Sequence, residues 1–140
     1  CRPLFEAMGK NIYYEGKAGN GQHTKMCNQI AIAGALSGAC EALAYAKAVG
    51  MDPAHMLESI STGAAGSAQL SNVASRILKD DYAPGFFIKH FIKDMKLADE
   101  EAVNAGAHLG VLEYVLNMYQ ELETEGCGDL GTQALIKYYE

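Results

Sequence analysis

The stretch Gln22 to Val49, QHTKMCNQIAIAGALSGACEALAYAKAV, decides the fold. It contains no proline, and its apolar residues Met26, Ile30, Ala33, Leu36, Cys40, Leu43 and Ala44 recur at helical spacing. Gly50 follows as a natural C-terminal stop. A helix of about seven turns is long enough to cross a small domain. Its middle, Ala31 through Ala39, is almost all small residues, and Ile30 to Cys40 carries no charge. Small side chains let neighbouring helices approach closely. The segment is therefore expected to be the buried central helix of the domain.

Downstream, Asp52 and Pro53 form a helix start, with Asp52 as N-cap and Pro53 at the first helical position. That helix is expected to end near Thr62-Gly63. After the loop Gly63 to Ser67, Ser67 caps a helix from Ala68 to about Lys79. Pro84-Gly85 marks a turn-rich link. Ile88, Phe91, Ile92, Met95, Ala98 and Ala102 define another long periodic segment between Phe87 and Gly106. Leu109 to Glu123 and Leu130 to Tyr139 complete the set. No strand signal follows residue 16, so the fold class is all-α: a helical bundle of about six helices around one long helix.

Upstream of that helix the pattern changes. Asn11-Ile12-Tyr13-Tyr14-Glu15 reads as a short β-strand that stops at Gly16, and a lone strand makes no stable sheet. It is expected to be the last strand of an upstream domain, or an edge strand lent to a partner. The loop from Gly16 to Gly21 then carries three glycines in six residues. The division that follows is residues 1–20 as the end of an upstream domain with its linker, and 21–140 as the helical domain.

Composition narrows the function classes. With 140 residues the chain fits one ordinary domain, and a hydrophobic share of 49% supplies a real core. A net charge of -6, with no Lys/Arg stripe, argues against a nucleic-acid partner. The four cysteines, Cys1, Cys27, Cys40 and Cys127, form no C-x-x-C pair and no zinc-ligand pattern with histidine. They are expected to be reduced, with Cys27 and Cys40 acting as small hydrophobes in the long helix. The most apolar run, Ile30 to Cys40, is too short for a membrane span, and no basic-then-apolar leader is visible. The expectation is a cytoplasmic protein with neither a membrane nor a metal partner.

Chemistry has two places to reside. In Gly19-Asn20-Gly21-Gln22-His23-Thr24-Lys25-Met26-Cys27-Asn28-Gln29 a glycine-rich loop runs into a helix. Asn28 and Gln29 stand three and four residues after Lys25 and share its face. A lysine and two amides thus converge at a helix start, where backbone N–H groups favour an anion. A lysine in such a donor-rich, partly buried site can exchange protons near neutral pH. Spacing alone favours a solvated lysine beside surface amides. The loop is neither a Walker A motif nor G-x-G-x-x-G. The second place is Pro84-Gly85-Phe86, followed two helical turns later by Lys93-Asp94. Lys93 and Asp94 are adjacent and so point apart, which argues against an ion pair between them. Spacing alone leaves Phe86 as a core aromatic and Lys93 as a surface lysine.

These two motifs together resemble the β-hydroxyacid dehydrogenase family, which includes 3-hydroxyisobutyrate dehydrogenase and tartronate semialdehyde reductase. The markers are Gly19-x-Gly21-x-x-x-Lys25-x-x-Asn28-Gln29, Glu41-Ala42, Gly50-Met51-Asp52-Pro53, Pro84-Gly85-Phe86 and Lys93-Asp94, which cover most of the chain. The resemblance implies a Rossmann domain joined by a long interdomain helix to an all-helical C-terminal domain. Residues Tyr13 to Gly16 would close the Rossmann sheet, with the dinucleotide fingerprint and a Ser-Gly-Gly substrate loop lying upstream. It implies Lys25 as general acid/base, with Asn28, Gln29 and Gly21 binding substrate. Phe86 and Lys93 would contact NAD or NADP, and Asp94 would be orienting or structural. A small 3-hydroxy acid as substrate and a homo-oligomer are implied too. One departure lies near the end of the chain. Relatives commonly show Gly-x-Gly-Asp-x-Asp-x-Ser-Ala, and here Gly131 and Gln133 stand at the second Asp and the Ser. The competing readings are a non-enzymatic helical module for dimerisation or partner binding, and a domain of the 6-phosphogluconate dehydrogenase type. The second suffers from the lack of a dense cluster of phosphate-binding arginines.

Overall fold

The computed structural model describes residues 1–140. Its helices are α1 (Arg2–Met8), α2 (Asn20–Ala48), α3 (Pro53–Ser61), α4 (Ala74–Ile77), α5 (Ile88–Asn104) and α6 (Gly110–Thr124). A π-helical segment, Gln69–Val73, runs directly into α4, and two 3₁₀ segments, Cys127–Asp129 and Thr132–Tyr139, close the chain. Most boundaries follow from local chemistry. Gly19 (φ 95°) turns the chain into α2. At the other end Gly50 (φ 75°) takes the left-handed position. There Met51 N–H donates to Ala46 O (2.9 Å) and Gly50 N–H to Lys47 O (3.1 Å), the paired bonds of a Schellman stop. Asp52 accepts from Ala54 N–H (2.9 Å) with Pro53 at the first position of α3. Ser67 Oγ accepts from Leu70 N–H (3.1 Å) at the next helix start.

The all-helical class and the bundle around one long helix are both present. α2 packs against α3, α4, α5, α6 and the terminal 3₁₀ segment. Its buried residues, Gln29, Ala33, Leu36, Ala39, Cys40, Leu43 and Ala46, recur every three to four positions. Small residues alternate with Leu on this stripe, against which α5 and α6 pack. Phe91 of α5 and Tyr119 of α6 fill the centre with an edge-to-face contact (ring centroids 5.3 Å apart).

Several expectations need correction. The Ile30–Cys40 stretch is buried on one face only, because this chain supplies helices to one side of α2; Ala31 and Gly38 face outward. Cys27 is likewise exposed, unlike Cys40. By length and composition α2 reaches what a membrane span requires, although 39% of its most apolar window is buried against the rest of the domain. Residues 11–16 form no ladder, since no second strand is available to pair with them. The helix expected from Ala68 to Lys79 begins as a π turn, and the one expected from Leu130 starts later, as 3₁₀. Its start is displaced because Gly131 pairs with Phe87 in an isolated antiparallel bridge. α1 was not foreseen, and it contributes no residue to the core.

Candidate active site

Three polar side chains from α2 and α5 meet at one buried carboxylate. Asp94 is 4% exposed. Its Oδ2 accepts from Lys25 Nζ (2.6 Å) and from Gln29 Nε2 (2.9 Å), and Lys93 Nζ lies 3.1 Å from its Oδ1. Asn28 Nδ2 in turn donates to Gln29 Oε1 (3.0 Å). Helical spacing explains the convergence: Lys25 and Gln29 are four residues apart on one face of α2, opposite the inward face of α5. Burial pushes the Asp94 carboxyl up, and donation from Lys25, Lys93 and Gln29 outweighs it, so its pKa lies below the ordinary value. Asp94 is thus an anion at neutral pH. The Lys25 side chain remains half exposed, anchored by its ammonium but open to solvent.

A cavity of about 360 Å³ opens beside this cluster. Lys25 and Gln29 form one wall, Phe86, Phe91 and Ile32 supply apolar surface, and Gln69, Arg76, Thr132 and Gln133 supply polar surface. Phe86, 38% exposed, sits on the rim and packs edge-on against Phe91 (5.9 Å). A volume of this size suits a small ligand with room for part of a larger one. No group of three or more His, Cys, Asp or Glu side chains converges as metal ligands.

The sequence-derived site residues divide into two groups. Lys25, Gln29 and Phe86 line the cavity. Gly21, Asn28 and Lys93 do not. Gly21 lies in the first turn of α2, exposed, and Asn28 touches the site only through Gln29. Lys93 faces a separate surface depression with Lys89 and Lys96, and reaches the cluster through Asp94. The expectation that adjacent Lys93 and Asp94 would not pair is corrected. Asp94 turns inward to α2, and the long lysine stem curls back to its outer oxygen. Arg76, Gln69 and Gln133 were not anticipated. Gln133 had stood out only as a departure, in the place where relatives commonly carry Ser.

The fold, a helical domain around one long helix, is that of the helical part of the β-hydroxyacid dehydrogenase family. Residues 19–139 match the family model described as the NAD-binding domain of NADP-dependent 3-hydroxyisobutyrate dehydrogenase, and the chain belongs to that family. It is 50% identical over 139 residues to an uncharacterised oxidoreductase of Bacillus subtilis, covering 99% of this chain and 48% of the relative. To the 2-hydroxy-3-oxopropionate reductase of Escherichia coli it is 32% identical, covering 99% and 48%. The crystal structure of a 3-hydroxyisobutyrate dehydrogenase from Salmonella typhimurium superposes with a TM-score of 0.91 at 26% identity, covering 97% of this chain and 48% of that one. The chain therefore spans about half the length of the curated relatives it matches.

Proposed function

We propose that this chain provides the proton-transfer side of an NAD(P)-dependent dehydrogenase active site. The reaction would interconvert a small 3-hydroxy acid, of the 3-hydroxyisobutyrate kind, and its semialdehyde or keto acid. The observation that carries the reading is the ion pair between Lys25 and buried Asp94 at the wall of a ligand-sized cavity. In the reductive direction the Lys25 ammonium gives a proton to the carbonyl oxygen as it becomes a hydroxyl. In the oxidative direction the neutral amine takes that proton back. Asp94 holds the lysine head in place, while Gln29, with Asn28 behind it, presents an amide to the substrate's polar groups. Gly21 would let the substrate approach the backbone at the start of α2.

NAD or NADP would supply the hydride. Phe86 suits that partner: a half-exposed aromatic face on the cavity rim offers apolar contact to a flat ring. Lys93, 66% exposed at its side chain, offers a charge to a cofactor phosphate or a substrate carboxylate outside the cavity. The rest of a dinucleotide needs a binding domain, which we assign to an upstream Rossmann domain ending within residues 1–20. In support, α1 buries nothing in this core, and Leu4, Phe5, Met8, Tyr13 and Tyr14 are all exposed. Residues 21–140 alone would then be inactive. Cytoplasmic location and a homo-oligomeric state belong to the same proposal.

The test uses the full polypeptide that carries these residues. With small 3-hydroxy acids and NAD or NADP, formation of reduced cofactor is expected, and Lys25→Ala should lower kcat by roughly 10²- to 10⁴-fold with unchanged circular dichroism. Full turnover in Lys25→Ala would refute the acid/base role. A wild-type protein that binds no nicotinamide cofactor would instead favour the non-enzymatic module.

A further inference from the structure

Gln133 is 2% exposed, yet it carries a primary amide. Its Nε2 donates to two main-chain carbonyls, Asp81 O (2.9 Å) and Ala83 O (3.0 Å). Arg76 grips the same turn from α4, donating from one guanidinium nitrogen to Ala83 O (2.6 Å) and from Nε to Asp81 Oδ2 (2.8 Å). Ala83 N–H completes the turn by donating to Asp81 Oδ1 (3.1 Å). The residues that follow are Pro84, Gly85 and Phe86. The two residues just before Gln133 hold this loop as well: Gly131 N–H donates to Tyr82 O (2.9 Å) and Thr132 N–H to Phe86 O (3.0 Å). Every bond in this set bears on where Phe86 stands.

Gly131 supports the same conclusion. Its backbone (φ -70°, ψ 154°) is open to any L residue, so conformational freedom does not require glycine there. A Cβ at Gly131 would instead fall 2.7 Å from Nε2 and 2.8 Å from Cδ of Gln133. The far end of a glutamine could usually swing away from such a contact. This one is buried and bonded to two carbonyls, so it cannot move without releasing the turn.

We propose that Gln133, together with Arg76, is a positioning residue that fixes the Asp81–Phe86 turn and thereby sets Phe86 at the cavity rim, with Gly131 kept side-chain-free to admit the Gln133 amide. The proposal rests on the reading of this cavity as the substrate and cofactor site. It acts through placement of Phe86, and Gln133 is assigned no contact with reacting atoms.

The experiment compares the full polypeptide with Gln133→Met, which keeps length and loses both donors, and with a cycle of Gly131→Ala, Gln133→Ser and the double variant. Amide hydrogen exchange is read together with kcat and KM. In Gln133→Met the Gly131, Thr132 and Ile88 amides should exchange faster while α2 and α6 are unchanged, and kcat/KM should fall by up to about 100-fold. Gly131→Ala should reproduce both effects alone, and add nothing once Gln133 is Ser. Wild-type exchange and kcat/KM in Gln133→Met, or an equal penalty for Gly131→Ala in both backgrounds, would overturn the proposal. Should the wild type turn over no small hydroxy acid, the functional reading fails. Exchange and the cycle would still decide whether Gln133 fixes the turn.

Discussion

Lys25 and Asp94 lie 69 residues apart in the chain and meet at 2.6 Å, the lysine on α2 and the carboxylate on α5. The two ends of this pair differ in burial: Asp94 is enclosed and the Lys25 side chain is half exposed. An enclosed carboxylate with three donors has little freedom, so it fixes the ammonium that remains accessible from the cavity. Asp94→Asn keeps the shape and removes the charge. It also risks turning an N–H toward the lysine. We expect kcat to drop by about 10- to 100-fold from loss of orientation, with a smaller change in KM. Steady-state kinetics of the full polypeptide check this, and an unchanged kcat would remove Asp94 from the site.

The same carboxylate should set part of the acid sensitivity. Its folded pKa is depressed, so the stabilisation it provides is complete above the unfolded value, near ~3.9, and is lost as pH falls through the lower folded value. Acid-denaturation curves of wild type and Asp94→Asn should therefore stay separated by a constant amount above about pH 4 and converge only as pH falls below it, through the folded value. Asp81 needs a parallel control. The Arg76 hydrogen bond and the Ala83 N–H hold its carboxyl below the ordinary range, against the small effect of burial, so Asp81→Asn should show a similar window. Curves that stay parallel through acid would mean the Asp94 cluster contributes nothing to folding.

What was legible in the sequence is what is local. Gly50, Asp52-Pro53 and Ser67 each act on neighbours within a few residues, and each forms the stop or cap that its residue type implies. The periodicity of Ile88, Phe91, Ile92 and Met95 likewise gave α5, because a helix repeats its own pattern. Lys25, Gln29 and Phe86, which line the cavity, were singled out by the family resemblance, since spacing alone left Lys25 to solvent and Phe86 to the core. The Asp94 side chain was harder, since its partner is set by the packing of α5 on α2, which no spacing within either helix encodes. Gln133 showed only as a departure from the relatives' Ser, with no hint of what it binds. Its partners, the Asp81 and Ala83 carbonyls, are main-chain atoms that leave no mark in the sequence. The one-sided burial of α2 escaped because a run of small residues looks the same whether its neighbours surround it or not.

The cysteines should separate cleanly by reactivity. Cys40 is fully buried, and burial, aided by nearby Glu41, pushes its thiol up to about 12. Cys1 and Cys27 are exposed, and Cys127 is partly so. Thiolate is the reactive form, so Cys40 has neither access nor ionisation. Alkylation of the polypeptide in native buffer, followed by peptide mass mapping, should modify Cys27 readily and leave Cys40 untouched until denaturant is added. Early labelling of Cys40 would show that the α2 core opens more often than its packing implies.

The π-helical segment makes a sharper prediction. Residues Gln69–Val73 carry a wide turn that hands on to α4, and it places Gln69, Val73 and Arg76 together on the cavity wall while Leu70 and Ala74 face the core. A π turn is in effect an α-helix with one residue too many. Deleting exposed Ser71 should therefore let the segment relax to a regular α-helix, with the flanking residues kept close to their present faces. Leu70 and Ala74 would then stand three apart on one helical face and both stay buried, while Gln69 would lose the wide turn that carries it to the cavity wall. Helical content and thermal stability should hold or rise while kcat/KM falls; Ser71→Ala should change none of them. A deletion variant with wild-type kcat/KM would show that the register of this wall is irrelevant to the site.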